Sequence, residues 1–388
     1  MSFVVPRYGQ LVLGGAETQA RLTAEDLAAH GVDVEVLTTC AIDHFTWRDH
    51  HPAGATVENG VRVHRFPVNP HRDQARFGRL HAEIGLGHPV PYASQIEWMA
   101  ESVWSDDLQR ALERRSDRWL VGIPYLFGTT FWTAAAHPDR TVLIPCAHDE
   151  PHVWQPIVRA ALRSAAGCIA NSPGEAELLG RLVPGMDPPI GGVGYRAQRI
   201  PSHEEVASFC RRHGTEPGYL LYAGRREVPK GVPLLFENYA AYRRARPDAP
   251  PLGLMGKGEL PVPDEIADHV VELGFLDAEE VPVAFAAASV FVHPSTLESF
   301  GMVLLESWLL GTPALVNGRS PILVGHCRAS GAGLWFDDAD EFREALDVLL
   351  DDPGLRDRMA SQGAEYVLST YSWEGVRTRF LAALDGWS

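Results

Sequence analysis

Lysine is nearly absent from this sequence. Of the 34 basic residues, only Lys230 and Lys257 are lysines, and both lie beside glycines in the second half of the chain. The formal net charge is −16, whereas a protein that binds nucleic acid needs clustered cations to neutralise phosphates. The composition therefore argues against a nucleic-acid partner, and an anionic small ligand would need a local cationic site.

Cysteine is also scarce, and its spacing carries no metal or disulfide signature. The five cysteines are an odd number and widely scattered, without CxxC or His-paired spacing. They are Cys40, Cys146, Cys168, Cys210 and Cys327. We therefore expect neither a disulfide framework nor a metal centre, and no cofactor.

Long hydrophobic runs are missing as well. No stretch reaches the roughly 18 uncharged apolar residues of a membrane-spanning helix. The first residues enter a strand-like run without the basic n-region of a signal peptide. We therefore expect no integral membrane segment and a cytoplasmic location.

What the sequence does contain is a repeated order of strand, glycine turn and helix. A strand-like run at Phe3–Val5 leads through Gly14 and Gly15 into an amphipathic segment, and the order restarts at residues 219–224. This order favours parallel sheets with helices on both faces. We therefore predict an α/β protein with two Rossmann-like, doubly wound domains and a boundary near residues 195–217. Ligands of such sheets bind at the carboxyl ends of the strands.

The two glycine turns differ in the chemistry that they offer. Gly14-Gly15-Ala16-Glu17 lets a ligand approach the backbone at a helix N-terminus, although such a turn is often only a connection. It lacks the GxGxxG spacing of a dinucleotide site, which argues against a dehydrogenase. Residues 224–231 place Arg225 and Lys230 at a strand end before a helix, which suits a diphosphate. The alternative is a solvated surface turn.

The richest segment is His293-Pro294-Ser295-Thr296-Leu297-Glu298-Ser299-Phe300-Gly301-Met302-Val303-Leu304-Leu305-Glu306. A strand ends at His293, a polar loop follows, and a helix begins near Gly301. Glu306 then shares a helix face with apolar neighbours three and four residues away. A carboxylate in that position needs donors, which ribose hydroxyls or an Arg from a neighbouring element would supply.

These motifs, in this order and over nearly the whole chain, resemble the retaining glycosyltransferases of family 4. The resemblance implies the GT-B architecture, in which two Rossmann-like domains face a central cleft. It implies an acceptor-side domain over residues 1–195, a nucleotide-sugar donor domain over 196–370, and a C-terminal helix, 371–388, that crosses back to the first domain. The apolar face of that helix would consist of Val376, Phe380 and Leu381.

The resemblance also implies the reaction and its site. A hexosyl-type sugar would move from a nucleoside diphosphate to an acceptor hydroxyl with retention. The sequence does not specify the base, and we favour UDP over GDP. Because no Asp-x-Asp pair lies next to the donor motifs and Arg225 and Lys230 supply cations there, we expect no metal to be required. The residues with catalytic roles would be His148, Glu298, Arg225 and Lys230. The donor-binding residues would be Gly14, Gly15, Arg225, Lys230, Gly256, Glu298, Ser299, Phe300, Gly301, Met302, Val303 and Glu306.

The family assigns each of these groups a task. Glu298 would face the donor sugar, Glu306 the ribose, and His148 the reacting sugar, while Arg225 and Lys230 would contact the diphosphate. Neither Glu298 nor His148 is flanked in the sequence by a partner that marks an activated base or nucleophile. This fits the retention that the resemblance implies, and we favour attack on the same face of the sugar, with the departing phosphate oxygen taking the acceptor's proton.

Several points stay open at this stage. Gly192-Val193-Gly194 replaces the Gly-Val-Asp of many family members, which weakens inference about the acceptor. Residues 67–104 are either an acceptor-side loop or a helical excursion, and Lys257 is either a phosphate ligand or a surface lysine. A nucleotide-sugar epimerase of GT-B shape and a non-catalytic nucleotide-sugar-binding protein are the alternative functions.

Overall fold

The computed structural model describes residues 1–12 and 14–387, which form two units. The first unit contains the residues up to Gly194 together with the C-terminal helix, and the second is Tyr195–Ser372. Each unit is built around its own sheet. The prediction of an α/β protein with two Rossmann-like domains is confirmed.

The first sheet has seven strands, and all neighbouring pairs but one are parallel. The strands are β1 (Ser2–Val4), β2 (Glu35–Thr39), β3 (Gly54–Glu58), β4 (Val61–Phe66), β5 (Leu120–Gly122), β6 (Thr141–Leu143) and β7 (Gly167–Cys168). Their order is β3-β4-β2-β1-β5-β6-β7, with β3 antiparallel to β4. Phe3, Val36, Val63, Val121 and Val142 stand in register across five strands and are fully buried. This row forms the centre of the first core.

Helices cover this sheet, and two of them lie in the segment that the sequence left open. They are α1 (Gly15–Ala29), α2 (Gln74–Gly85), α3 (Tyr92–Ala100), α4 (Asp106–Glu113), α5 (Gly128–Ala136), α6 (Pro156–Ser164) and α7 (Pro173–Leu182). Because α2 and α3 occupy most of residues 67–104, that segment is a helical excursion. Strand β2 begins only at Glu35, because the Val32 amide closes the end of α1 by donating to Leu27 O.

The second sheet has six strands, and every neighbouring pair is parallel. The strands are β8 (Tyr219–Ala223), β9 (Leu252–Met255), β10 (Val270–Gly274), β11 (Ala288–His293), β12 (Ala314–Asn317) and β13 (Gly333–Phe336). Their order, β10-β9-β8-β11-β12-β13, reverses direction between β8 and β11. In doubly wound sheets this reversal opens a crevice at the carboxyl ends of the two central strands, where ligands bind.

The helices of the second unit alternate with these strands. They are α8 (His203–Arg212), α9 (Val232–Ala245), α10 (Val281–Ala286), α11 (Met302–Leu309), α12 (Pro321–Ser330), α13 (Ala339–Asp351) and α14 (Pro353–Thr370). Helix α11 follows β11 and carries Glu306, so one turn of helix separates that carboxyl from the loop of Glu298. The fold thus places both glutamates beside the reversal point.

The last helix, α15 (Trp373–Gly386), belongs to the first unit. The ring of Phe380 stacks on Phe3 with centroids 6.1 Å apart. Val376, Phe380 and Leu384 are buried, whereas Leu381 is only partly buried against the same core. Leu384 therefore replaces Leu381 as the third fully buried residue of the helix face.

The boundary between the units differs by a few residues from the predicted ranges. Tyr371 and Ser372 lie in the second unit, and so does Tyr195. The amide of Tyr195 donates to Tyr371 O at 2.7 Å, and the Tyr371 ring packs edge-on against Phe300. These contacts hold both ends of the second unit together.

Candidate active site

Three loops meet at the carboxyl ends of β8, β9 and β11. A Cβ atom on Gly256, which follows β9, would lie 2.1 Å from the carbonyl oxygen of Gly224, which follows β8. A Cβ atom on Gly231 would lie 2.3 Å from the carbonyl oxygen of Pro294, which follows β11. Both glycines also have positive φ values, +126° and +73°. Only glycine fits at these two positions, and the three loops therefore pack backbone against backbone.

An ion pair joins the two loops at the reversal point. Lys230 Nζ lies 2.7 Å from Glu298 Oε1, and both side chains are partly buried. His293 Nε2 lies 3.8 Å from the same carboxylate oxygen. Burial, assisted by the nearby Lys230 charge, lowers the pKa of His293 to about 4 although Glu298 opposes the shift. The group at the strand end is therefore a neutral imidazole beside a charged pair.

His293 is a site residue to which sequence reasoning gave no role. Within residues 1–12 and 14–387, its Nδ1 atom has no hydrogen-bond partner. The sequence marks only its position at the end of a strand in the motif that contains Glu298. Its closeness to Lys230 and Glu298 depends on the pairing of β8 with β11.

Glu306 is a carboxyl group that the protein itself leaves unsatisfied. It lies in the second turn of α11, which begins after Gly301, a residue with φ of +78°. Burial alone raises the pKa of Glu306 to about 7. No hydrogen-bond donor or cation among the described residues contacts it, so the structure does not contain the Arg salt bridge considered as an alternative. The residue is nevertheless partly accessible to solvent.

The arginines of the first cationic loop have different environments. Arg225 is exposed and pairs with its neighbour Glu227 at 3.1 Å. Arg226 donates to Glu272 at 2.6 Å and to Gly258 O at 3.1 Å, so it ties the β8 loop to the strands beside it. Arg225 is therefore the arginine of this pair that is accessible to an anion.

Lys257 lies over an aromatic side chain. Its Nζ atom is 4.4 Å from the ring centroid of Phe275, which follows β10 and is 55% exposed. A cation–π contact of this kind holds the lysine at the surface near the loop of Gly256. Both alternatives for Lys257, a phosphate ligand and a surface lysine, stay open.

The residues between the two glutamates form an anchored turn. The side chain of Phe300 is buried and packs against Tyr195 and Tyr371. Its ring therefore fixes the turn, and only its backbone amide is left for a ligand. Met302 and Val303 form the partly exposed first turn of α11.

In the first unit, Gly14 and Gly15 begin α1 at the carboxyl end of β1, and the neighbouring Leu13 lies outside the described residues. Arg7 Nε donates to Glu17 Oε1 at 3.0 Å in a buried ion pair. A Cβ atom on Gly14 would lie 2.2 Å from Glu17 Oε2, whereas the described residues place nothing within 4 Å of a Cβ atom on Gly15. Packing against Glu17 explains why residue 14 is glycine. No packing contact among the described residues explains why residue 15 is glycine.

His148 follows β6 and has an acidic neighbour. Its Nδ1 atom lies 3.6 Å from Glu150 Oε1, to which the Tyr125 hydroxyl donates at 2.9 Å. His152 Nδ1 lies 3.6 Å from the other carboxylate oxygen. Although burial acts to raise it, contacts with these histidines and with Tyr125 hold the pKa of Glu150 far below its ordinary value.

The sequence flanks of Glu298 and His148 show no such partner, but the fold brings a charged group to each of them. The partner of Glu298 is Lys230, 68 residues away in the chain. The partner of His148 is Glu150, two residues further along the chain. The sequence alone does not show which of Asp149 and Glu150 faces the histidine. Tyr125, which completes this group, comes from the neighbouring strand end and left no signal in the sequence.

A buried polar network supports the loop that carries His148. Glu175 accepts hydrogen bonds from the backbone amides of Ala147 at 2.5 Å and Asn171 at 2.6 Å. Burial raises the pKa of Glu175 to about 7 despite these donors. Asn171 Oδ1 in turn accepts from Gln19 at 2.5 Å. The network connects the ends of β6 and β7 with α1.

The described part of the chain contains neither a candidate metal site nor a candidate membrane-spanning helix. Across residues 1–12 and 14–387, no group of three or more His, Cys, Asp and Glu side chains could hold a metal ion. No helix in that part of the chain is long and apolar enough to span a bilayer. The five cysteines are free and buried. Metal independence and cytoplasmic location stay predictions.

Two family profiles match this chain. The family described as "Glycosyl transferase 4-like domain" matches residues 14–189, and "Glycosyl transferases group 1" matches residues 207–366. The chain is 29% identical over 395 residues to the D-inositol 3-phosphate glycosyltransferase of Pseudarthrobacter chlorophenolicus, covering 90% of this chain and 85% of that protein. It is also 27% identical over 419 residues to the glycogen synthase of Mycobacterium tuberculosis, covering 98% of this chain and 94% of that protein.

Solved structures share the fold. The sucrose-phosphate synthase of Thermosynechococcus elongatus superposes with a TM-score of 0.75 at 18% identity, over 99% of this chain and 98% of that one. The Anabaena protein HepE in complex with UDP-glucose superposes with a TM-score of 0.69 at 16% identity, over the full length of both chains. The chain belongs to the family 4-like glycosyltransferases and has the GT-B fold.

The unsatisfied carboxyl of Glu306 predicts a pH-dependent stability. Its folded pKa of about 7 exceeds the ordinary value of 4.5, so the folded state holds the proton more tightly than the unfolded state. The stability from this group is complete below pH 4.5 and is lost as pH rises through 7. We expect Glu306→Gln to raise the melting temperature at about pH 8 and hardly to change it at about pH 4.

Differential scanning calorimetry at several pH values measures this effect. Glu365→Gln, which removes an exposed carboxylate from α14, controls for the change in net charge. An equal change in melting temperature at both ends of the pH range would contradict the assignment of a raised pKa to Glu306.

Proposed function

We propose that this glycosyltransferase moves a hexosyl-type sugar from a nucleoside diphosphate to an acceptor hydroxyl, with retention and without a metal ion. UDP-sugars are the favoured donors, and GDP-sugars are the second choice. The observation that carries the proposal is the unsatisfied carboxyl of Glu306 on the helix that directly follows the Lys230–Glu298 loop pair.

A nucleoside supplies what Glu306 lacks. The two ribose hydroxyls can donate one hydrogen bond to each carboxylate oxygen, and hydrogen bonds to a charged acceptor are among the stronger ones. Donation to the ionised form also lowers the pKa of the carboxyl, so a bound nucleoside compensates for the cost of burial. Because the ground and transition states would share these contacts, Glu306 would act on donor affinity more than on chemistry.

The cations beside the reversal point suit the diphosphate. Lys230 pairs with Glu298 in this structure, and a diphosphate would compete for the ammonium group. Lys230 and the exposed Arg225 would then stabilise the charge that develops on the phosphate as the glycosidic bond breaks. Glu298 would then face the hydroxyls of the sugar.

Gly15 leaves space for a ligand at the start of α1 in the first unit. Its backbone is helical, and nothing described in the protein approaches the position of a Cβ atom. The fold itself therefore does not require glycine there, whereas a ligand that packs against the start of α1 would.

The comparisons inform the choice of donor more than that of acceptor. HepE has been solved with UDP and with UDP-glucose, which supports UDP-glucose as the first donor to test. The relatives named above differ in their acceptors, an inositol phosphate in one case and glycogen in the other. The acceptor class of this protein therefore stays open between small molecules and glycans. His148 and Glu298 would orient the sugar while the acceptor attacks from the side of the departing phosphate.

A ligand panel tests the donor and the reaction class. UDP should raise the melting temperature more than GDP or ADP, because a ligand that binds only the folded state stabilises it. UDP-glucose should be converted to UDP, with an α-configured product by NMR and unchanged rates in EDTA. Isomerised nucleotide sugar would indicate an epimerase, and binding without turnover would indicate a non-catalytic protein. Inversion, or activity restored by magnesium after EDTA, would refute retention or metal independence.

Replacement of Lys230 tests the electrostatic role. We expect Lys230→Ala to lower kcat by roughly 10²-fold, the scale for removal of one donor from a site of this kind. Arg212→Ala, which removes another cation from the same unit by breaking its surface pair with Glu280, should leave kcat unchanged. Equal kcat values for wild type and Lys230→Ala in steady-state assays would rule out the role.

A matched pair of glycine replacements tests the first unit. Gly15→Ala should weaken UDP-glucose turnover without loss of stability, because the described protein leaves room for the methyl group. Gly78→Ala in α2 also meets nothing within 4 Å and should stabilise its helix by about 0.5–1 kcal/mol. Full activity in Gly15→Ala, as expected for Gly78→Ala, would show that no ligand packs at Gly15.

A further inference from the structure

Three groups converge on the carboxylate of Glu150 at the ends of two neighbouring strands. The Tyr125 hydroxyl comes from the loop after β5, and His148 and His152 come from the loop after β6. Glu150 is itself partly buried, so its negative charge acts on these groups with little screening from solvent. The carboxylate is thus the common neighbour of all three side chains.

We infer that Glu150 is a positioning residue for the transfer reaction, which holds the His148 ring with its Nδ1–H toward the carboxylate and leaves Nε2 for the substrate. The inference rests on the proposed function, in which His148 meets the reacting sugar. A carboxylate accepts hydrogen bonds and cannot donate them when ionised, so the nearer ring nitrogen, Nδ1 at 3.6 Å, must carry a proton before the two groups can form a hydrogen bond. The choice of tautomer at His148 follows from that requirement.

The carboxylate can orient His148 because its other contacts fix it in place. Tyr125 donates to one oxygen, while His152 lies beside the other. The His152 ring stacks on His81 with centroids 4.1 Å apart, and its Nε2 atom is 3.0 Å from His81 O. Glu150 is therefore hydrogen-bonded to Tyr125 from the loop after β5, while the His152 ring, packed on α2, limits its movement on the other side.

The adjacent carboxylate shows that this arrangement is specific to Glu150. Asp149 accepts from Trp154 Nε1 and from Arg181, both at 2.7 Å, and is largely exposed. These partners turn it away from His148. The loop thus contains two neighbouring acidic residues of which one faces the candidate catalytic histidine, and Asp149 provides a matched control.

The experiment measures UDP release from UDP-glucose by wild type, Glu150→Gln, Asp149→Asn, His148→Ala and the Glu150→Gln/His148→Ala double variant. We expect Glu150→Gln to lower kcat roughly 10- to 100-fold, the usual effect of losing a residue that orients a functional histidine, with donor KM nearly unchanged. Asp149→Asn should match wild type. Because Glu150 acts through His148, the double variant should be no slower than His148→Ala.

A second readout does not depend on turnover. In protein labelled with 15N-histidine, the ring nitrogens of His148, assigned by their loss in His148→Ala, should show the Nδ1–H tautomer in wild type and in Asp149→Asn. Glu150→Gln should lose this preference. If Glu150→Gln does not fold, Glu150→Asp can replace it. The shorter side chain keeps the negative charge but moves it away from His148 Nδ1, so the preference for the Nδ1–H tautomer should be lost in this variant too.

The outcomes separate this inference from the proposed function. Multiplicative losses in the double variant, or an unchanged His148 tautomer in Glu150→Gln, would overturn the positioning role. Failure of the wild type to release UDP from any nucleotide sugar would instead refute the proposed function, while the tautomer measurement would still decide whether Glu150 orients His148.

Discussion

The ion pair between Lys230 and Glu298 is the interaction on which the second unit's site depends. It spans the point where the strand order reverses, and so it connects the loops that follow the two paired strands β8 and β11. The pair is only partly buried, so separating it costs less than separating a buried pair, and ligand groups can replace each partner. Burial keeps the neighbouring His293 neutral by lowering its pKa, a shift that Glu298 opposes and Lys230 assists.

Two carboxyl groups of this protein, Glu175 and Glu306, share a raised pKa of about 7. They differ in whether the protein supplies hydrogen-bond donors to the carboxyl oxygens. Burial is the main cause for both Glu175 and Glu306. Glu175 accepts from two backbone amides, which bind two strand ends together. Glu306 receives no such donor from the described residues. Glu175, whose oxygens accept from the backbone, is part of the scaffold, whereas Glu306, without such donors, is a candidate for ligand binding.

The first unit places its candidate groups on a supported loop. Beneath His148, the Glu175 network fixes the backbone of the preceding residue, Ala147. Beside His148, Glu150 links the ring to the neighbouring strand end and to the helical excursion. Such support is what a reacting group requires, because small errors in position lower the rate of a transfer reaction strongly.

Several features followed from the sequence alone. The repeated order of apolar runs, glycine turns and helices is a local property, and it was sufficient to predict two parallel-sheet units and the strand ends at which the motifs lie. The turn at Gly231 and the helix after Gly301 could also be predicted, because glycine at a helix start has a local conformational cause. Short strands without a clear pattern, such as the exposed β3 and the two-residue β7, could not.

The tertiary structure decided which charges meet. Lys230 and Glu298 are 68 residues apart, and they pair because β8 and β11 are neighbours in the sheet, a property of the whole topology. The sequence shows Asp149 and Glu150 side by side, but only the folded loop turns Glu150 toward His148 and Asp149 toward Trp154. The raised pKa of Glu306 and the lowered pKa of His293 depend in the same way on burial, which many distant residues create together. Local sequence determines the type of element, whereas partners and burial arise only when the sheets assemble.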